Sequence, residues 1–127
     1  MFAYPDSTEK SDRVAIHATI EKYLEAAHHH NTDIGRQAFW PDAIMHGFLD
    51  ADLIAGPIES LFQYWASNRP PSTKPDAAIE LIGLTPTVAV VRLLEESKTE
   101  GHSFVDFHSL LKKDNQWKIQ AKVFHAF

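Results

Sequence analysis

Two residues two positions apart, Asp106 and His108, are the pair best suited to acid–base work. Alternation along a strand puts both on one face with Phe104 and Leu110. A carboxylate among apolar side chains is pushed toward its neutral form, and an adjacent imidazole can share its proton. Such a pair suits proton abstraction beside a carbonyl, or dehydration. The competing reading is structural: Asp106 pairs with Arg92 or Lys122 and satisfies the sheet. His125 falls in phase with Trp117, Ile119, Ala121 and Val123, which points it inward, and His46 sits in phase with Ile44 and Phe48. Asp106, His108, His46 and His125 therefore form the candidate acid–base set. Asp106 is the expected base, His108 or His125 the relay, and His46 the group that polarises a substrate oxygen. Trp40, Phe62, Tyr64, Trp65 and Phe104, with Arg92, are the candidate ligand-binding residues. Phe62 and Trp65 also fit ordinary core packing.

The His28, His29, His30 run invites a metal reading. Consecutive helical residues point about 100° apart, so the three cannot hold one ion, and His17 lies too far along. A cationic cap at a helix end is the better account. No metal and no cofactor is expected: the phosphate loop, nucleophile elbow, dinucleotide fingerprint and paired-histidine spacings are missing from the chain.

These residues need elements to hold them. Ser7 to His30 reads as a helix, capped by Asp6 with Glu9 completing a capping box. Its apolar stripe is Ile16, Ile20, Tyr23, Leu24 and Ala27. Asn31 and Gly35 bracket its exit. Thr32 to Phe39 forms a short second helix halted by Pro41. Ala43 to Phe48 reads as a strand, Leu49 to Asp52 as a turn. Gly56-Pro57 opens a third helix carrying Ile58, Leu61, Phe62 and Trp65. Arg69 to Pro75 is a loop. Four strands follow: Ala77 to Leu84, Thr87 to Glu95, His102 to Lys113 and Gln116 to His125, the last two joined by a tight turn at Asp114-Asn115.

Helices first and then an antiparallel meander is an α+β pattern, with helices on one face of a curved sheet. The third and fourth strands of the chain's β-series carry apolar residues on both faces, so the outer face also needs cover. A homodimer through that face is expected. The chain has 127 residues, 44% apolar and 23% charged, with no cysteine and a net charge of −5. That is one domain, residues 1–127, able to build a core without disulfides. The negative charge argues against a nucleic-acid partner. No run approaches the roughly 20 apolar residues that span a bilayer. The N-terminus lacks a secretory pattern. The expected setting is cytoplasmic, with neither nucleic acid nor membrane as partner.

The stretch Ala38-Phe39-Trp40-Pro41-Asp42-Ala43 resembles an element of the SnoaL-like, ketosteroid-isomerase-like superfamily, also called nuclear transport factor two-like. Phe104 to Lys112 and Trp117 to His125 resemble its lumazine-binding branch. The resemblance spans nearly the whole chain and implies a cone: a curved antiparallel sheet against three helices, with a cavity open at one end, usually in dimers. Members include isomerases, dehydratases, cyclases and non-catalytic binding modules, so the fold alone decides little about activity. The chain departs from the branch at Thr85-Pro86, where a glycine-containing turn is usual. Three readings follow. The first is a binder of a small apolar, aromatic or carbonyl-bearing ligand in a His/Asp-lined cone. The second is a cofactor-independent isomerase- or lyase-type enzyme in the same cavity. The third is an interaction module using the outer sheet face.

Overall fold

The computed structural model describes residues 4–99 and 101–127. The first helix, α1, spans Asp6–His29 and buries Ile16, Ile20, Tyr23 and Leu24, the stripe its spacing predicts. Its start differs from expectation. Pro5, not Asp6, is the N-cap, and no side chain caps the helix. Proline's preset φ of −58° turns the chain into the helix, and the Glu9 amide donates to the Pro5 carbonyl at 2.9 Å. Asp6 becomes the first helical residue, where its charge still opposes the helix dipole. The helix ends at His30 in the left-handed region, φ 50°. α2 (Thr32–Ala38) is capped by the Asn31 side chain, which accepts from the Ile34 amide at 3.1 Å. α3 spans Glu59–Ser67 and buries Phe62 and Trp65.

The strands are β1 (Phe39–Leu49), β2 (Asp52–Pro57), β3 (Asp76–Leu84), β4 (Val88–Glu96), β5 (Phe104–Lys113) and β6 (Gln116–Ala126). β2 replaces the helix start expected at Gly56-Pro57. It is a hairpin partner of β1 from Leu49↔Asp52 to Ile44↔Pro57, with Asp50 at φ 55° making the turn. The sheet order is β2-β1-β6-β5-β4-β3. Every pair is antiparallel except β1 and β6, so the sheet is mixed and not purely antiparallel as expected. The β3-to-β6 meander is one unit and the β1–β2 hairpin another; they join where β1 runs alongside β6. Asp114 and Asn115, φ 50° and 60°, make the anticipated two-residue turn. At Thr85-Pro86 a side chain does a glycine's work: the Thr85 hydroxyl accepts from the Val88 amide at 2.9 Å.

The three helices lie on one sheet face, over a core that includes Phe39, Met45, Val91, Leu93, Leu110 and Ile119. Asp12 fixes α1 across the sheet. It accepts from Trp117 Nε1 at 2.8 Å, from Lys112 Nζ at 3.0 Å and from the Tyr4 hydroxyl. This buried anchor sets where Tyr23 and His28, further along α1, arrive. Among the described residues the fold is the α+β architecture expected: three helices against a curved, unclosed six-stranded sheet.

One irregularity decides the site. Leu110 pairs with Ile119, but Ser109 pairs with Ala121, so Gln120 is an extra residue in β6. Such a bulge reverses which side chains face inward. Before it Trp117 and Ile119 are buried; after it Lys122, Phe124 and Ala126 are.

Candidate functional site

Strand β5 turns Asp106 and His108 inward with Leu110, as alternation predicts, and both are wholly buried. His108 Nε2 lies 3.2 Å from Asp106 Oδ2. Lys122, paired in register with His108, brings Nζ to 4.0 Å from that same oxygen. The ammonium sits among rings: 4.2 Å from the Phe124 centroid and 5.9 Å from those of Tyr23 and Phe104. Tyr23 comes down from α1, its ring centroid 5.0 Å from that of His108. Beside them, Glu95 on β4 pairs in register with Phe104, and its Oε2 lies 3.9 Å from His28 Nε2.

The two carboxyl groups are driven apart. Burial alone would raise Asp106, but Lys122, His108 and Tyr23 outweigh it and hold the carboxyl below its ordinary range. Glu95 is pushed up to about 7 by burial and by the Asp106 charge, against the pull of Lys122. Burial, then the Asp106 and Glu95 charges, raise the Tyr23 phenol well above its usual range. His28 is lowered by burial and then by Lys74 and His29. Near neutral pH, Asp106 is therefore a fixed anion, while Glu95 can give or take a proton.

A cavity of about 520 Å³ opens onto this cluster, between the end of α1, α3, the 69–75 loop and the ends of β4 and β5. Tyr23, Trp65, Glu95, Phe104 and Lys122 line it. His30 stacks on Trp65, centroids 5.9 Å apart, and its Nδ1 meets the Asn68 carbonyl at 2.7 Å, closing the wall at the helix end. A larger cleft of about 1040 Å³ lies across the same loop, between α1 and β3. It is a groove of exposed side chains such as Glu21, Lys22 and Lys74, and none of the buried charge cluster except His28 reaches it. The smaller cavity is the chemically equipped one.

Several sequence expectations change here. Asp106 and His108 do not line the cavity; they lie buried behind Lys122. His46 and His125 are exposed on the outer sheet face, so the four-residue convergence does not form. Parity with Trp117 and Ile119 predicts an inward His125, and the extra residue at Gln120 reverses it. His46 shares its side of β1 with Ile44 and Phe48, which are exposed rather than buried. Arg92 is also outward, ion-paired with Glu80. Trp40 lies at a different end of the molecule, donating to the Leu111 carbonyl at 3.0 Å beneath Lys113 and Lys118. Phe62 is core, packed edge-on against Phe39 and closely over Gly35. Trp65, Tyr64 and Phe104 do line the cavity. The histidine run diverges as helical geometry demands: His28 faces Glu95, His29 borders the outer groove, and His30 covers Trp65. Among the described residues, no group of three His, Asp or Glu side chains converges as metal ligands.

Glu95, Lys122, Tyr23 and His28 were missed as site residues. Glu95 carried a readable signal, because it continues the inward phase of Val91 and Leu93 as an acid at a core position. Tyr23 was visible only as a core stripe residue.

Among the described residues, no helix is long and apolar enough to cross a membrane. Solved structures with the same architecture include an NTF2-like protein of unknown function from Shewanella baltica, with a TM-score of 0.81, 29% identity and 98% of each chain covered. Another, from Methylobacillus flagellatus, has a TM-score of 0.83 and 31% identity over 92% of this chain and 93% of that one. A ketosteroid isomerase-like protein from Erwinia carotovora atroseptica, 16% identical, shares the fold at a TM-score of 0.66 over 90% of this chain and 95% of the other. A protein from Cladobotryum sp named "Aldolase FrzH" is 30% identical over 117 residues, 92% of this chain and 93% of its own. The family model described as "Putative lumazine-binding" matches residues 11–125, and the chain belongs to that family, on the NTF2-like, ketosteroid-isomerase-like fold.

Proposed function

We propose that this domain binds a compact carbonyl compound with an apolar or aromatic body and moves the proton on the carbon beside the carbonyl. The observation that carries the reading is a single one. Two buried carboxyl groups flank one cavity-facing lysine, with Asp106 held ionised and Glu95 brought to about 7. Groups whose surroundings separate their proton affinities in this way divide acid–base labour. Glu95 takes or returns the proton. Lys122 receives the carbonyl group and the charge that develops on it, while the Tyr23 phenol, which stays protonated, donates to Asp106. Trp65, Phe104 and Tyr64 hold the apolar body. Asp106 and His108 position Lys122. The relative's name, aldolase, agrees with enolisation, because an aldol bond forms or breaks at the carbon that carries the enolate. The family description agrees with a small-molecule ligand.

Hydrocinnamaldehyde, an enolisable aromatic aldehyde, tests this in deuterium oxide. The protein is expected to speed exchange of the protons next to the carbonyl, read by proton NMR. Glu95→Gln should lower that rate by about 10²–10⁴-fold while leaving the fold intact. Binding without accelerated exchange overturns the enzyme reading and leaves a binding module.

The homodimer is also part of this reading. Ile44, Phe48, Phe107, Leu94 and Val123 stand 40–48% exposed on one continuous outer face. One cross-strand row runs His46, Val123, Phe107, Arg92, Glu80. Light scattering at micromolar concentration should give twice the chain mass. A monomer would sink the dimer and return the face to a different protein partner.

A further inference from the structure

We propose that the Lys122 amine forms a covalent iminium with an aldehyde or ketone of the substrate. This deepens the enolisation reading and rests on it. Lys122 is 4% exposed, yet it lines the 520 Å³ cavity. Among the described residues its Nζ makes no hydrogen bond, and its ion-pair partner, Asp106, stands at 4.0 Å. Aromatic faces occupy the rest of its surroundings. Other lysines are held or solvated differently: Lys112 bonds Asp12, Lys98 pairs with Asp76, and Lys113 and Lys118 lie over Trp40 at the surface. An amine with an apolar surround, a carboxyl group in the same cavity and no competing hydrogen bond is arranged for attack on a carbonyl.

The step closes without outside reagents. The Lys122 ammonium gives one proton to the Glu95 carboxylate. The freed lone pair adds to the carbonyl carbon, and the π pair moves to oxygen. A proton passes from nitrogen to that oxygen, giving the carbinolamine. Glu95 returns its proton to the hydroxyl, the carbon–oxygen bond breaks, water leaves, and the nitrogen lone pair closes the C=N bond. One ammonium and one carbonyl become one protonated imine and one water, with no change of oxidation state. Asp106 behind the nitrogen balances the retained positive charge. Glu95, ionised again, can then take the neighbouring proton, leaving an enamine.

The test uses hydrocinnamaldehyde with cyanoborohydride, followed by peptide mass mapping. The expected result is a reduced adduct on Lys122 roughly tenfold above that on any other lysine, lost when the protein is unfolded in urea first. Lys122→Arg keeps a cation beside Asp106 and should lose the adduct with an unchanged circular dichroism spectrum. Adducts spread over exposed lysines with Lys122 unmodified overturn the iminium. If Glu95-dependent exchange persists in that case, the enolisation reading still stands. An adduct on Lys122 without any exchange supports the iminium and removes enolisation. Absence of both signals removes both proposals.

Discussion

Between about pH 4.5 and pH 7 the protein should lose about 3 kcal/mol of stability through one side chain, Glu95. The ordinary value for this carboxyl is 4.5, and the fold raises it to about 7. In that window the folded state binds the Glu95 proton more tightly than the unfolded chain does. Stability is full below 4.5 and declines as the pH rises toward 7. Two neighbours act in the opposite sense. Asp106, held low, withdraws stability only as pH falls through and below the usual carboxylate range. His28, held low, adds stability as pH rises through the usual imidazole range. Lys122 and Tyr23 complete the set of groups facing Glu95, and the Tyr23 phenol, held well above its usual range by burial, stays protonated across this window. The difference between wild type and Glu95→Gln isolates the carboxyl. Urea unfolding at several pH values should show that difference growing steadily with pH, and a flat difference refutes the burial account.

Lys122→Met should destabilise the protein by about 3 kcal/mol, because it strands the Asp106 charge in a dry interior. The isolated loss is not the value of the pair, since methionine fills much the same volume. The informative comparison is the cycle with Asp106→Asn. Removing the charge first should make the lysine replacement much less damaging, with a coupling of about 1–3 kcal/mol. His108 and Tyr23 soften the single mutant by continuing to favour the carboxylate. Strictly additive losses in urea titrations would show that Lys122 and Asp106 do not act on each other.

The architecture was legible because its signals are local. The α1 stripe, the Asn31 boundary, the Asp114-Asn115 turn and the inward pairing of Asp106 with His108 all follow from short-range periodicity. β2 was not legible: Gly56-Pro57 reads as a helix start, and only pairing with β1 makes Asp52–Pro57 a strand. The parallel contact of β1 with β6 joins opposite ends of the chain, which no local pattern reports. The site was half legible for the same reason. Asp106 and His108 were found by parity within one strand. Their partner Lys122 enters the sequence reading only as one of two structural ion-pair candidates, and His125 reads as inward because parity is carried through a strand that does not keep it. The outer position of Arg92 has the same character, since only the pairing with β3 brings it to Glu80.

Gln120 touches nothing in the cavity, yet it sets the cavity's chemistry. Strand β6 is spliced from two half-strands of opposite frame, one serving the core beneath α1 and the other the charged floor. A lineage that lost this single spacer would keep every side chain of the second half-strand and present the wrong ones, Val123 and His125 in place of Lys122 and Phe124. Relatives of this chain are therefore best compared by counting residues along that strand before comparing their identities.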